Sequence, residues 1–151
     1  GQEGSFAQTP LGFVPLAHLQ PLDDRPSDPV TVAESLLDAP YLWGGNSAAG
    51  IDCSGLVQAA LLACGLPCPG DSDQQQALGQ SLDFRTPLQR GDLVFWKGHV
   101  AMVVDPVRII HANGHTMSVA YEALDHAIAR ILGQKGGPVT TLRRILDESA
   151  A

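Results

Sequence analysis

The sequence predicts an α+β fold in which the helices come first and an antiparallel sheet follows. Of the 151 residues, 44% are hydrophobic and 17% are charged, which is typical of one soluble domain with a buried core. Apolar residues recur at helical spacing as far as residue 78, and β-branched or aromatic runs replace them after residue 91. Helices followed by strands, without regular alternation, indicate α+β.

The first 29 residues are predicted to form a tail and a linker. Residues 11–19 have the composition of a short strand with a turn behind it. Residues 21–29 contain three prolines among polar side chains, as linkers commonly do. We therefore divide the chain into a tail at 1–22, a linker at 23–29 and a main domain at 30–151.

Three helices are predicted in the first half of the main domain. Residues 30–38 carry an apolar helical stripe that ends before Pro40. A turn-rich loop at 42–46 precedes a buried helix at 53–64, which a glycine and a proline terminate. Residues 71–78 form a further predicted helix.

The second half is predicted to be mainly β. The predicted strands are 92–96, 99–104, 107–111, 117–121 and 140–145, and a helix is predicted at 124–131. The short breaks at 97–98 and 105–106 favour an antiparallel meander for the first three strands.

Charge and composition exclude several classes of protein. The net charge is −7 and the basic residues are scattered, whereas nucleic-acid binding needs a clustered positive surface. No apolar run approaches the ~18 residues of a membrane span. The first residues lack the pattern of a signal peptide. Of the three cysteines, Cys64 and Cys68 are interpreted as separate thiols, although a pairing between them is left open.

Cys53 is the strongest candidate for chemistry. It lies at the first turn of the predicted helix 53–64, where the helix dipole favours a thiolate and backbone N–H groups can stabilise an oxyanion. We therefore expect Cys53 to be partly accessible with a low pKa, and Cys64 to be buried and inert.

His99 and His111 are the candidate partners of Cys53. One imidazole can accept the thiol proton while the other orients it, provided that both lie on the same face of the sheet. A two-residue loop would place them on opposite faces. We therefore expect a three-residue connection that pairs Val103 with Val107 and sets His99 opposite His111, or a bulge with a similar effect. We expect this face to meet the helix of Cys53.

Five segments, in this order and spacing, resemble NlpC/P60 cysteine peptidases. They are YLWGG at 41–45, DCSGLV at 52–57, GDLVF at 91–95, GHV at 98–100 and IHA at 110–112. The resemblance implies a papain-like α+β fold and cleavage of peptidoglycan peptides between γ-D-glutamate and the following diamino acid. It assigns Cys53 as nucleophile, His99 as general base and later acid, and His111 as the orienting residue, with no cofactor and no metal.

The chain looks most similar to family members that act on free murein peptides with an N-terminal L-alanine. In that subgroup, Asp52 would bind the substrate amine, and Ser54 and Ser72 would line the groove. Tyr41 and Trp43 would form part of the same pocket. A helix N-cap is the alternative role for Asp52. The partner implied is a murein peptide, and the oligomeric state is left open.

Two departures from the family pattern affect these expectations. Gly70 occupies a position where an arginine is common, so any substrate contact of that arginine is in doubt. The subgroup carries a preceding bacterial SH3-like domain, and only residues 12–19 resemble its last strand. Because free murein peptides are recycled in the cytoplasm, we favour a cytoplasmic location over a periplasmic one.

Three other interpretations remain open at this point. A papain-like amidase or acyltransferase would use the same cysteine and histidine. A zinc site could form from Cys53, His99, His111 and His115, although the spacing of zinc ligands is poor. A catalytically silent wall-binding module is the third, and competent residues at all three catalytic positions disfavour it.

Overall fold

A computed structural model describes residues 1–146 as helices packed on both faces of an antiparallel sheet. The helices are α1 (Pro29–Glu34), α2 (Cys53–Ala63), α3 (Ser72–Gln75) and α4 (Leu124–Gly133). The strands are β1 (Gln2–Glu3), β2 (Phe6–Thr9), β3 (Gly12–Pro15), β4 (Asn46–Ser47), β5 (Gly50–Ile51), β6 (Gln80–Ser81), β7 (Leu93–Trp96), β8 (His99–Asp105), β9 (Arg108–Asn113), β10 (Ser118–Ala123) and β11 (Thr141–Arg144).

The central sheet has six strands in the order β10-β9-β8-β7-β11-β6, and all neighbours are antiparallel. Side chains alternate between its two faces. One face packs on α1 and α2 through residues such as Phe95 and Met102. The other face packs on α4 through residues such as Val103 and Ile109. The sheet is therefore buried on both sides, as its almost continuous apolar strands require.

The predicted helices are present, and two of them, α1 and α3, are shorter than expected by three or four residues. α2 begins at Cys53 as predicted. α1 starts at Pro29, inside the predicted linker, because Asp28 caps it by accepting a hydrogen bond from the Val30 backbone N–H. It gives way to turns after Glu34, and α3 spans only four residues of the predicted 71–78. The short strands β4, β5 and β6 were not predicted.

The N-terminal segment forms a small antiparallel sheet in the order β1-β2-β3. Within the predicted strand 11–19, only Gly12–Pro15 is extended, and a 3-10 helix follows at Leu16–His18. An SH3-like origin for this sheet stays a prediction.

The β8–β9 connection has the predicted parity but a different register. Met102 pairs with Ile110 and Val103 with Ile109, so paired residue numbers add to 212 rather than 210. Asp105 then pairs with Arg108, and the register shift between Val103 and Asp105 marks a bulge. The proposed three-residue connection is therefore wrong, and the bulge alternative supplies the even sum.

The two histidines share a face of the sheet, as predicted, but it is the face that packs on α4. His99 pairs with Trp96, whose side chain belongs to the core on that side. His111 has the same strand parity as Ile109, which also belongs to it. The expectation that this face meets α2 is wrong, since Val100 and Ile110 contact that helix instead.

Candidate active site

Cys53 is the first residue of α2, and Asp52 creates this helix start. One carboxylate oxygen of Asp52, Oδ1, accepts a hydrogen bond from the Gly55 backbone N–H at 2.8 Å. The other oxygen, Oδ2, accepts from the Gly44 backbone N–H at 2.8 Å. Asp52 therefore has the N-cap role considered for it, and it also ties the preceding loop to the helix that carries the thiol.

The Cys53 thiol is more deeply buried than expected. Only 8% of the residue is exposed. Burial raises the pKa of the thiol, backbone N–H groups of Val100 and Ser54 oppose this, and the charge of Asp52 adds to it, so that the pKa is raised overall. The expected low pKa is wrong because desolvation outweighs the helix terminus. Cys64 is half-buried, not fully buried as expected.

A chain of hydrogen bonds runs behind this thiol through two imidazoles to a carboxylate. His99 Nε2 lies 2.8 Å from His111 Nδ1, and His111 Nε2 lies 2.9 Å from an oxygen of Glu122. A carboxylate only accepts, so His111 carries its proton on Nε2 and accepts from His99 at Nδ1. His99 Nδ1 is then left without a proton and is able to accept one.

Both imidazoles are neutral in the folded chain. Burial, together with the nearby His111 and Arg130, lowers the pKa of His99 to about 3. Burial also lowers the pKa of His111, although Glu122 opposes the change. The resting site therefore pairs a neutral thiol with a neutral imidazole, and not a thiolate with an imidazolium.

Glu122 is a site residue that the sequence analysis missed. It lies on β10, and Arg130 of α4 donates to both of its carboxylate oxygens at 2.9 Å. His126 lies 2.8 Å from one of them. The bonds from Arg130 lead the factors that lower the pKa of Glu122 to about 2. The only sequence signal was an acidic side chain directly after the predicted strand 117–121, too common a feature to single it out.

Among residues 1–146, no hydrogen bond joins Cys53 to His99, and both residues lie at the end of the sheet where β8 begins. Cys53 approaches from the α2 side, where the Val100 N–H contacts its sulfur. His99 is the neighbouring residue and the first of β8, so its ring lies at the strand end on the α4 side. Catalytic hydrogen bonds commonly tighten only once substrate is bound.

An acidic cavity of about 440 Å³ opens beside Cys53. Every residue predicted to bind substrate lines it, namely Tyr41, Trp43, Asp52, Ser54 and Ser72. Asp71 and Asp73 line it as well, and no basic side chain is among its described lining residues. The cavity therefore suits a cationic group.

The two aromatic lining residues differ in their exposure to solvent. Trp43 is 87% exposed and stands at the rim of the cavity. Tyr41 is half-buried, and burial, Cys53 and Asp52 raise the pKa of its phenol. The phenol therefore stays protonated and is able to donate a hydrogen bond near the sulfur.

The part of the chain that the structure describes contains no arrangement of side chains that suits a zinc ion. No group of three or more His, Cys, Asp or Glu side chains there is arranged to hold a metal ion. Both nitrogens of His111 are engaged by His99 and Glu122.

Among residues 1–146, no helix is long and apolar enough to cross a membrane.

Comparison with known proteins identifies the family. The NlpC/P60 family profile matches residues 38–132. The chain belongs to the NlpC/P60 family. Its fold is the papain-like α+β fold of these domains: an NlpC/P60 family protein of Bacillus cereus superposes with a TM-score of 0.75 at 28% identity, over 94% of this chain and 50% of that chain.

Relatives within the NlpC/P60 family have more than one described role. A gamma-D-glutamyl-L-lysine dipeptidyl-peptidase of Bacillus cereus is 36% identical over 100 residues, which cover 61% of this chain and 30% of that protein. RipD of Mycobacterium tuberculosis, described as non-catalytic and adapted to peptidoglycan binding, shares the fold with a TM-score of 0.62 at 22% identity, over 78% of this chain and 95% of that one. The chain spans about a third of the length of several curated relatives that it matches.

Proposed function

We propose that this chain is a cysteine peptidase that hydrolyses peptidoglycan stem peptides between γ-D-glutamate and the diamino acid. The observation that carries the proposal is the meeting of three features at one end of the sheet. These are the thiol at the start of α2, the chain of hydrogen-bonded imidazoles that ends at Glu122, and the acidic cavity beside Cys53.

Acylation follows from the protonation states. His99 Nδ1 accepts the thiol proton as the Cys53 sulfur attacks the γ-carbonyl carbon of D-glutamate. In this proposal, the Cys53 backbone N–H and the Tyr41 hydroxyl donate to the oxyanion that forms. The tetrahedral intermediate collapses, the C–N bond breaks, and His99 returns the proton to the departing amine. A thioester remains on Cys53.

Deacylation regenerates the thiol. Water loses a proton to His99 and attacks the thioester carbonyl, and the C–S bond breaks. The acid product leaves and the Cys53 sulfur regains its proton. Glu122 holds His111, and His111 holds His99, in the same tautomers throughout, so the base is correctly oriented for both steps.

We further propose that the substrate is a free peptide with an unblocked N-terminal L-alanine. Asp52, Asp71 and Asp73 give the cavity its negative charge, which favours an ammonium group and disfavours a neutral acetamide. Asp52 is nearest in sequence to the nucleophile and contacts Ser54 Oγ at 3.3 Å. For peptides of this kind we propose the cytoplasm as the place of action.

The test is hydrolysis of L-Ala-γ-D-Glu-L-Lys and its N-acetylated form, with products identified by mass spectrometry. We expect L-Ala-D-Glu and L-Lys from the free peptide, much slower release from the acetylated one, and no release by Cys53→Ala. Binding of the free peptide without hydrolysis would favour the silent wall-binding module. Transfer of the acyl group to an added amine in preference to water would favour the acyltransferase.

A further inference from the structure

A second cavity, of about 450 Å³, opens on the α4 side of the turn that joins β7 to β8. Its polar lining includes Lys97, His99, Asn113, His115, Arg130 and Gln134. Gly98 lines the acidic cavity, whereas Lys97 and His99 on either side of it in the sequence line the second cavity. The two cavities therefore lie on either side of one short turn, with Cys53 on one side and His99 on the other.

The second cavity has the opposite charge to the first. No carboxylate is among its described lining residues. Arg130 is paired with Glu122, so the uncompensated cation is Lys97, which is exposed and has no ion pair among residues 1–146. A positive site on a chain of net charge −7 is a local exception, and it suits an anion.

The position of His99 identifies which part of a substrate reaches this cavity. In the proposed mechanism, the imidazole that accepts the thiol proton later donates it to the departing amine. The amine must therefore lie within reach of that ring. A group attached to the departing amine extends on the His99 side, where the second cavity opens, while the acyl part remains on the Cys53 side.

We propose that the second cavity is a subsite for the leaving diamino acid and that Lys97 binds its free C-terminal carboxylate. The inference rests on the proposed peptidase function and narrows its substrate class. The ammonium end of the peptide occupies the acidic cavity and the carboxylate end occupies the basic one. The preferred substrate is then a short peptide in which the residue after the scissile bond is the last.

The test compares two peptides that differ only at the C-terminus, L-Ala-γ-D-Glu-L-Lys with a free carboxylate and the same peptide as the amide. Lys97→Met removes the charge and keeps much of the side-chain length. Lys135→Met is the matched control, because Lys135 is the only other lysine of the chain and does not line the cavity. The readouts are KM and kcat for both peptides at low and high salt.

We expect the unsubstituted chain to prefer the carboxylate peptide by roughly three- to tenfold in kcat/KM at low salt, mostly through KM. The preference should shrink at high salt. It should disappear in Lys97→Met and persist in Lys135→Met. Equal cleavage of both peptides by the unsubstituted chain, or an unchanged preference in Lys97→Met, would overturn the subsite. Cleavage of neither peptide would instead contradict the proposed peptidase function.

Discussion

At the scale of single residues, Glu122 fixes the tautomers of the two histidines. It is 12% exposed in its side chain and bound by Arg130 on α4, so it stays ionised and acts only as an acceptor. His111 must therefore carry its proton on Nε2. Its Nδ1 then accepts from His99, so His99 also carries its proton on Nε2. Glu122 contacts none of the expected reacting atoms, so we assign it as a positioning residue.

Glu122→Gln should therefore reduce kcat by roughly 10- to 100-fold with little change in KM. A neutral amide donates as well as accepts, so it no longer enforces one tautomer. Nitrogen-15 NMR of the imidazoles should show both histidines protonated at Nε2 in the unsubstituted chain and a mixture in the variant. Asp125→Asn removes a nearby exposed charge and serves as the control. Unchanged tautomers and kcat would assign Glu122 to structure alone.

Asp52 has two roles that different substitutions separate. Asp52→Ala removes the N-cap and the tether to Gly44 and should lower the free energy of unfolding by about 1–2 kcal/mol. Asp52→Asn retains an oxygen for the Gly55 N–H but loses the charge and the acceptor for the Gly44 N–H. We expect it to lose less stability than Asp52→Ala, while KM for peptides with a free amine rises by roughly 10-fold or more. Thermal melts check the predicted stabilities, and kinetics on free and acetylated peptides check the predicted rise in KM. An unchanged KM in Asp52→Asn would leave Asp52 as a cap only.

At the scale of elements, the sequence was most informative where one local rule decides the outcome. An aspartate before an apolar helical stripe predicts a helix that starts at Cys53, and the structure has it there. The even pairing sum of β8 and β9 was predictable because both histidines had to share a face. Which face of the sheet carries the histidines was not predictable. The strands are apolar at nearly every position, and α2 covers one face while α4 covers the other.

Other elements depend on contacts that are distant in the sequence. β6 is only two residues long and exists through its pairing with β11, more than 60 residues later. The Glu122 bonds to His111 and Arg130 likewise join β9, β10 and α4. No local pattern encodes such contacts, and the site residues that were predicted came mainly from motif resemblance.

A buried ion pair joins β11 to the start of β7. Arg144 donates to both oxygens of Asp92, which is 2% exposed. Arg144→Gln leaves this carboxylate without its charged partner and should lower the free energy of unfolding by about 2–4 kcal/mol in urea titrations. The exposed pair of Arg85 and Asp83 is the matched control, and Arg85→Gln should cost less than about 1 kcal/mol. Equal costs for the two variants would show that burial does not determine the value of these pairs.

At the scale of the whole molecule, the buried histidines make stability depend on pH. His99 has a pKa of about 3 in the folded chain, against an ordinary value of 6.5. Below pH 6.5, His99 therefore binds a proton in the unfolded chain but not in the folded chain. The free energy of unfolding falls as the pH drops from 6.5 towards 3. Glu122, whose pKa falls from 4.5 to about 2, adds a further loss below pH 4.5.

We expect Tm to fall steadily between pH 6.5 and pH 4.5, before Glu122 contributes. His99→Gln removes one of the two buried histidines and should make the fall shallower over this interval, while His111, whose pKa is also lowered, keeps part of it. His18→Gln, at an exposed position in the 3-10 helix, is the control and should leave the slope unchanged. An identical slope in His99→Gln would show that another group dominates the acid sensitivity.

The central claim is that the peptide carbonyl reacts with Cys53, and affinity labelling tests it most directly. The reagent is L-Ala-γ-D-Glu carrying a diazomethyl ketone in place of the scissile amide, and labelled residues are mapped by mass spectrometry. We expect one label per chain, on Cys53, with hydrolysis lost in proportion and with protection by the unlabelled tripeptide. Labelling of Cys64 or Cys68 in its place, or full activity after complete labelling of Cys53, would contradict the claim.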